Sequence, residues 1–480
     1  MSLKQGTFFL VTAWTVFLLT GGVLNIGMAR ILGPERYGQF GLVFSILFWL
    51  EILIVNGMPY ALQKFVASEE DRGPVILWAA FRIQIRIACG LFVISMVLSP
   101  FIARIFDDPD LADLLRFAFL DILFLGFFHL IVAYQNGLRR FSRQALLLIV
   151  WSVLRVVFMF AAVLLTRSLP VVFTANALGA LSGFLFGLAN IRPWKNRLSY
   201  NSRKMVQFMT SSLLYFFMLN LFFNIDLWVV RYFLGKASGG FYVAASMIAK
   251  VPYFVFMGLS ATVLPMVALG LSRSDMDHVK QTIRHAVYFL TVLAIPFAVM
   301  LMVCRPGLIT LIYTAAYMPA ASILAVLVWG MTGLAFFALF TTILNADNKP
   351  LISFLISAAA IAADFLLCVW LVPRMGPAGG ALSTTLSVWA GTLIAVILIL
   401  RRFGAVFRFV SGLRILLSAA AAGWICSLLP TNGAHVLWIF PSGLFCYTAF
   451  LILTGEFKLK TLGRWIGRYK AFDFISLLRP

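Results

Sequence analysis

Apolar residues run in unbroken stretches of roughly 20 along the whole chain, separated by short polar segments. A run of that length crosses about 30 Å of hydrocarbon as a helix. The runs are continuous rather than alternating at every second residue, which excludes membrane strands. The pattern predicts an all-α polytopic membrane protein with about 14 transmembrane helices. They lie at roughly 7–28, 39–61, 76–102, 111–136, 145–166, 170–191, 206–230, 240–270, 286–304, 320–345, 350–372, 377–400, 411–429 and 434–455. The eighth carries Pro252 and Pro265 and is expected to kink. The segment 305–319, "RPGLITLIYTAAYMP", reads either as an interfacial turn or as part of the tenth helix.

Composition supports the pattern and adds an orientation. Of 480 residues, 62% are hydrophobic and 11% charged, and the mean hydropathy is +0.99, which excludes a soluble enzyme. The net charge of +21 comes from 38 Lys and Arg against 17 Asp and Glu. With the N-terminus inside, Lys and Arg favour the cytoplasmic loops over the outer ones by nearly three to one. The excess therefore anchors cytoplasmic loops rather than binding nucleic acid. It places both termini in the cytoplasm. The first apolar stretch, about Phe8 to Ile26, is too long for a cleavable signal and lacks a small-residue cleavage site. In the tail from Lys458 to Phe472, Leu462, Trp465, Ile466, Tyr469 and Phe472 share one helical face, amid five Lys and Arg residues. That reads as a basic interfacial helix against anionic headgroups, or as a solvated tail.

Catalytic and cofactor signatures are missing from the sequence. Five scattered cysteines show no C-x-x-C, the four histidines have no metal-ligand spacing, and no phosphate-binding loop occurs. The outer loops are too short for a glycosyltransferase or polymerase domain. The acidic stretch "FDDPDLAD" (Phe106 to Asp113) reads as a turn followed by the cap of the fourth span. No enzyme, cofactor or metal site is expected.

The chain repeats itself. "ARILGPERYGQFGLVFSI" (Ala29 to Ile46) aligns with "RYFLGKASGGFYVAASMI" (Arg231 to Ile248) at a shift of 202 residues. Leu32-Gly33 falls on Leu234-Gly235, Gly38 on Gly240 and Phe40 on Tyr242. This pairs span 1 with span 7 and span 2 with span 8 in the same direction. It implies two pseudo-symmetric six-helix lobes, residues 1–200 and 201–405. Two extra C-terminal helices follow at 406–455, then the basic tail at 456–480. Repeated lobes around a midplane site are a secondary-transporter architecture.

These stretches, with "NIDLWVVRYFLGKASGGFYVAASMIAKVPYF" and the late "LVPRMGPAGGALSTTLS", resemble the Wzx-type oligosaccharide flippases of the polysaccharide-transporter family. Their superfamily (MOP) also holds the MATE drug exporters and the lipid II flippase MurJ. The resemblance implies translocation of an undecaprenyl-diphosphate-linked oligosaccharide to the outer leaflet by alternating access of the two lobes. It would serve cell-surface polysaccharide such as O-antigen, from the cytoplasmic (inner) membrane of a bacterium. Implied partners are the lipid-linked oligosaccharide, membrane lipids, H⁺ or Na⁺, and polymerase or glycosyltransferases of the same pathway. The alternative is a MATE-like multidrug/cation antiporter, for which twelve spans and an acidic cavity are expected.

Charges within spans single out the candidate residues, because an ionised group at mid-helix costs about 2.5–3.5 kcal/mol without a partner or a wet cavity. Arg30, Arg82, Arg86, Arg155, Arg231 and Lys250 are the candidates for a diphosphate headgroup, since Arg forks onto two oxygens and Lys supplies a mobile charge. Glu51, Asp226 and Asp364 are candidates for ion coupling or for charge pairing. Pairing inside a lobe, such as Asp121 with Arg86 or Arg155, is the competing reading. The family's cavity, lined by spans 1, 2, 7 and 8, favours a functional role for Arg30, Glu51, Asp226, Arg231 and Lys250. Asp226 is read as holding Lys250 or the coupling cation, against a static bridge to Arg231. Asn25, Asn56, Asn220 and Asn224, with Thr12 and Thr15, could bind sugar hydroxyls or join helices.

Overall fold

The computed structural model describes residues 3–189, 191, 200–210, 213, 222–404 and 409–456. Asn220 and the basic tail lie outside the described residues. Every regular element there is helical. In chain order they are α1 (Leu3–Val55), α2 (Met58–Ser68), α3 (Gly73–Ile105), α4 (Asp110–Gly137), α5 (Phe141–Thr166) and α6 (Leu169–Leu188). They continue with α7 (Ile225–Ala249), α8 (Val251–Ser272), α9 (Met276–Val303), α10 (Arg305–Ile312), α11 (Ala320–Ala346), α12 (Pro350–Met375), α13 (Pro377–Phe403), α14 (Phe409–Ser427) and α15 (Val436–Leu453).

Twelve helical stretches among the described residues are long and apolar enough to span a bilayer. Two exceed a single crossing: Phe8–Ser68 has 61 residues and Ile225–Ser272 has 48, about 90 and 70 Å at 1.5 Å per residue. Each breaks at one glycine. Gly33 adopts φ 72°, ψ 171° inside α1, and Gly235 adopts φ 79°, ψ −169° inside α7. A side chain makes that conformation costly, so glycine is required at both. Dividing the first stretch at Gly33 gives the two crossings that the hydropathy pattern predicts there; of the predicted seventh crossing, 206–230, residues 211, 212 and 214–221 lie outside the described residues.

Other breaks follow proline. The chain turns at Asn56-Gly57 before α2, which has Pro59 in its first turn. It turns again at Lys250, where Pro252 opens α8. A ring lacking an N–H is tolerated at a helix start but not in its interior hydrogen-bond ladder. The undecided segment after residue 304 forms its own short helix, α10, and then a 3₁₀ turn at Ala315–Tyr317.

The chain divides into two compact units: residues 1–224 with 235–240, and residues 225–234 with 241–480. The first unit packs α4 on α6, α5 on α6, α3 on α4 and α2 on α4. The second unit repeats the scheme with α11 on α13, α12 on α13, α9 on α11 and α8 on α11, and adds α14 and α15 against α9. Inside the first unit, Gly38 meets the segment 235–240. A Cβ at Gly38 would come within 2.1 Å of the Lys236 carbonyl oxygen, and one at Gly240 within 1.9 Å of the Pro34 carbonyl oxygen. The Lys236 ammonium also reaches Asp108 at 2.9 Å, and the Gln39 amide donates to the other oxygen of Asp108 at 3.1 Å. Of the acidic stretch, Asp110 and Asp113 do occupy the first turn of α4. Asp108 instead turns inward and is buried.

Candidate functional site

The second unit carries a buried polar cluster on α7, α12 and α13. Asp226 sits in the first turn of α7, where its carboxylate accepts the Leu227 N–H at 2.7 Å. Tyr242, four turns further along, donates its hydroxyl to Asp226 Oδ2 at 2.5 Å. From α13, the Thr384 hydroxyl lies 3.1 Å from the same oxygen and 3.4 Å from Asp364 Oδ2. Ser383 donates to Asp364 Oδ1 at 2.9 Å. Asp226 and Asp364 are 2% and 0% exposed.

One threonine hydroxyl thus lies between two buried carboxylates, and its single hydrogen can serve only one of them at a time. Lys250 acts electrostatically on Asp226. Two buried carboxyls thus share one hydroxyl and one neighbouring ammonium. A buried arrangement of that kind suits a proton or a monovalent cation.

The first unit holds a second cluster. Glu51 of α1 and Asp121 of α4 interact electrostatically, and the guanidinium of Arg155 on α5 acts on both. Arg155 Nε donates to Asn176 Oδ1 of α6 at 2.7 Å, and the guanidinium lies 5.6 Å from the ring centres of Phe44 and Trp151. Like the first cluster, it sets two carboxyls against one cationic side chain.

The remaining candidates spread out. Arg82 and Arg86 are exposed one turn apart on α3. Arg30 is exposed at the end of the first half of α1, whereas Arg231 and Asn224 are buried in the second unit and the first, respectively. Asn56 lies at the turn before α2. Asn25 donates to the Gly21 carbonyl at 2.9 Å, and the Thr12 and Thr15 hydroxyls bond back to Phe8 and Val11 at 2.9 Å each. These three are engaged along their own helix.

Tyr242, Ser383, Thr384 and Asn176 were not among the sequence candidates. A signal for Tyr242 lay in the repeat. At the 202-residue shift Asp226 falls on Leu24 and Tyr242 on Phe40, so one copy has an apolar pair where the other has an acid and a hydroxyl. Leu24 and Phe40 are both buried, which makes the polar pair of the second copy an addition rather than a necessity of packing.

The chain is thus a helical membrane protein built on a glycine-broken repeat, with a buried polar cluster in each unit. A solved inward closed structure of the lipid II flippase MurJ matches with a TM-score of 0.75 at 17% identity, over 94% of this chain and 99% of that one. An inward-facing MATE family multidrug resistance transporter of the MOP superfamily matches with a TM-score of 0.68 at 13% identity, over 85% and 96%. At such identities the likeness concerns the fold alone. The family described as polysaccharide biosynthesis protein matches residues 27–322, more than half of the chain, and the chain belongs to that family. The succinoglycan biosynthesis transport protein ExoT of Rhizobium meliloti is 26% identical over 298 residues, 56% of this chain. The match spans 54%, about half, of that relative's length.

Proposed function

We propose that the protein is a flippase that moves a lipid-linked oligosaccharide, carried on undecaprenyl diphosphate, from the cytoplasmic to the outer leaflet for surface polysaccharide. In this reading two six-helix lobes alternate access, α14 and α15 are appended to the second, and both termini are cytoplasmic. Arg30, Arg82, Arg86, Arg231 and Lys250 supply charge for the diphosphate, and Asp226 with Asp364 takes up the coupling H⁺ or Na⁺. Family membership supports the polysaccharide pathway. The observation that carries the coupling is the pair of buried carboxyls, Asp226 and Asp364, that flank the Thr384 hydroxyl. An inside-negative potential adds about 2.3 kcal/mol per 100 mV for each negative charge moved outward.

Buried carboxyl pairs in both units favour one second reading, a MATE-like exchanger of organic cations. Deletion from the native cell separates the two. The flippase reading expects lipid-linked oligosaccharide to accumulate in the cytoplasmic leaflet, relieved by the wild-type protein but not by Lys250→Ala that inserts normally. Normal polymer export with heightened sensitivity to cationic drugs would establish the exchanger instead.

A further inference from the structure

The first unit leaves bare a helix face that the second unit covers. At the 202-residue shift of the repeat, α3 falls on α9 in register. Phe81, Gln84, Ala88 and Ser99 are buried, and so are their counterparts Ile283, Ala286, Leu290 and Leu301. On α9 a further face is covered by α14, α15 and the residues just after α15. Gly423 of α14 abuts Val299 and Val303, and the Tyr447 hydroxyl of α15 donates to the Val292 carbonyl at 2.9 Å. Glu456 acts electrostatically on Tyr288. The counterparts of Tyr288, Val292, Val299 and Val303 are Arg86, Gly90, Val97 and Phe101, and all four are exposed. Among the described residues α3 packs chiefly on α4 and α2.

Arg82, Arg86, Gly90, Val93, Val97 and Phe101 follow one another by three or four residues, which sets them along one face of α3. The later part is apolar, with Val97 60% and Phe101 55% exposed. Nothing lies within 4 Å of where a Cβ on Gly90 would stand. An apolar strip with a glycine is a surface on which membrane helices approach each other closely. The earlier part is cationic. Arg82 and Arg86 are exposed and make no hydrogen bond, ion pair or ring contact among the described residues. They lie about 14 and 20 Å along α3 from its start at Gly73, where lipid alone is a costly surrounding for a guanidinium.

In the second unit the covering segment itself brings a carboxylate to this level. Glu456 acts on Tyr288 and lines one cavity with Arg284, the counterpart of Arg82, and it is matched by Arg414 at 3.3 Å. We propose that the bare face of α3 docks a membrane-spanning helix of another protein, which presents a carboxylate to Arg82 and Arg86 and a small residue opposite Gly90. A second copy of this chain fits less well, because two such faces would bring four guanidiniums together. With a carboxylate seated on Arg82 and Arg86, the diphosphate of the flippase reading is served by Arg30, Arg231 and Lys250. The proposal itself stands on the repeat and the exposed face and does not rest on transport.

The test puts the photo-crosslinking residue benzoylphenylalanine in place of Val93 in the full-length chain, within its native membrane. Leu178 of α6, also exposed, receives the same residue as the control. An adduct with one membrane protein, joined through a spanning helix that contains Asp or Glu, is expected from position 93 and not from 178. Arg82→Gln with Arg86→Gln should lower its yield roughly tenfold or more, with the melting temperature in detergent unchanged because both side chains are exposed. Changing the partner's acid to Lys should lower the yield as much, and Arg86→Glu should restore it in that background. Adducts with lipid alone, adducts between two copies of this chain, or a protein adduct that the Gln pair leaves intact overturn the proposal, as does the absence of any adduct. Transport lost in the Gln pair with the adduct intact returns both arginines to the diphosphate. Cross-linking needs no transport, so the docked helix stands even if the cargo is not a lipid-linked oligosaccharide.

Discussion

Tyr242 donates its hydroxyl to Asp226 across 2.5 Å, from four turns along the same element and on the other side of the Gly235 break. The glycine makes that contact geometrically possible, because a straight helix would carry residue 242 about 24 Å from residue 226. Tyr242→Phe removes only the oxygen. The buried ring of Phe40 in the other copy indicates that the apolar version packs. A loss of about 1.5–3 kcal/mol is expected, the range for a hydrogen bond to a charged group, read as a lower melting temperature in detergent.

Asp226→Asn and Asp364→Asn each remove one carboxylate from the pair that flanks Thr384. Transport should fall at least roughly tenfold in each, with membrane insertion unchanged. The double variant should cost less than the two singles combined, with a coupling of about 0.5–3 kcal/mol. Strict additivity, or full transport by either single variant, would remove this cluster from the coupling step.

In the first unit the asymmetry between acid and base is testable. Glu51→Gln keeps a donor for Asp121 and should leave the melting temperature nearly unchanged. Arg155→Met strands a carboxylate beside Asn176 and should cost about 3–5 kcal/mol, the usual penalty for breaking a buried pair from one side. Equal effects from the two substitutions would show that the acid and the base contribute alike.

Gly240→Ala places a methyl group 1.9 Å from the Pro34 carbonyl oxygen, and the obstacle is backbone. The turn must shift, at about 1–3 kcal/mol or more. Ala at Gly235 instead forces a side chain onto φ 79°, with a strain of about 1–3 kcal/mol. Both should lower expression yield and melting temperature, whereas Gly258→Ala, with open space around it, serves as the control.

Much of the architecture was legible in the sequence because hydropathy is a local quantity. Runs of roughly 20 apolar residues state their own length, and the paired Leu-Gly steps at 32–33 and 234–235 marked both helix breaks. Residues 305–312 stayed undecided because eight residues bounded by Pro306 are too short for periodicity to separate helix from turn. Asp108 was read as part of a cap because the sequence does not reveal that Gln39, 69 residues away, reaches it. The same limit hid Thr384. Which hydroxyl of the run "LSTTLS" faces Asp226 depends on how α13 packs, and neighbouring threonines differ only in that. Thr385 lies on another face and bonds to the Val326 and Ala381 carbonyls.

The repeat preserved its backbone break in both copies while only one copy gained the acid and the hydroxyl. The other unit builds its own carboxyl pair, Glu51 and Asp121, on different helices beside the Arg155 guanidinium. If coupling proceeds through the Asp226 cluster, the two copies of one repeat do different work: one senses the ion, and the other follows through the shared backbone break.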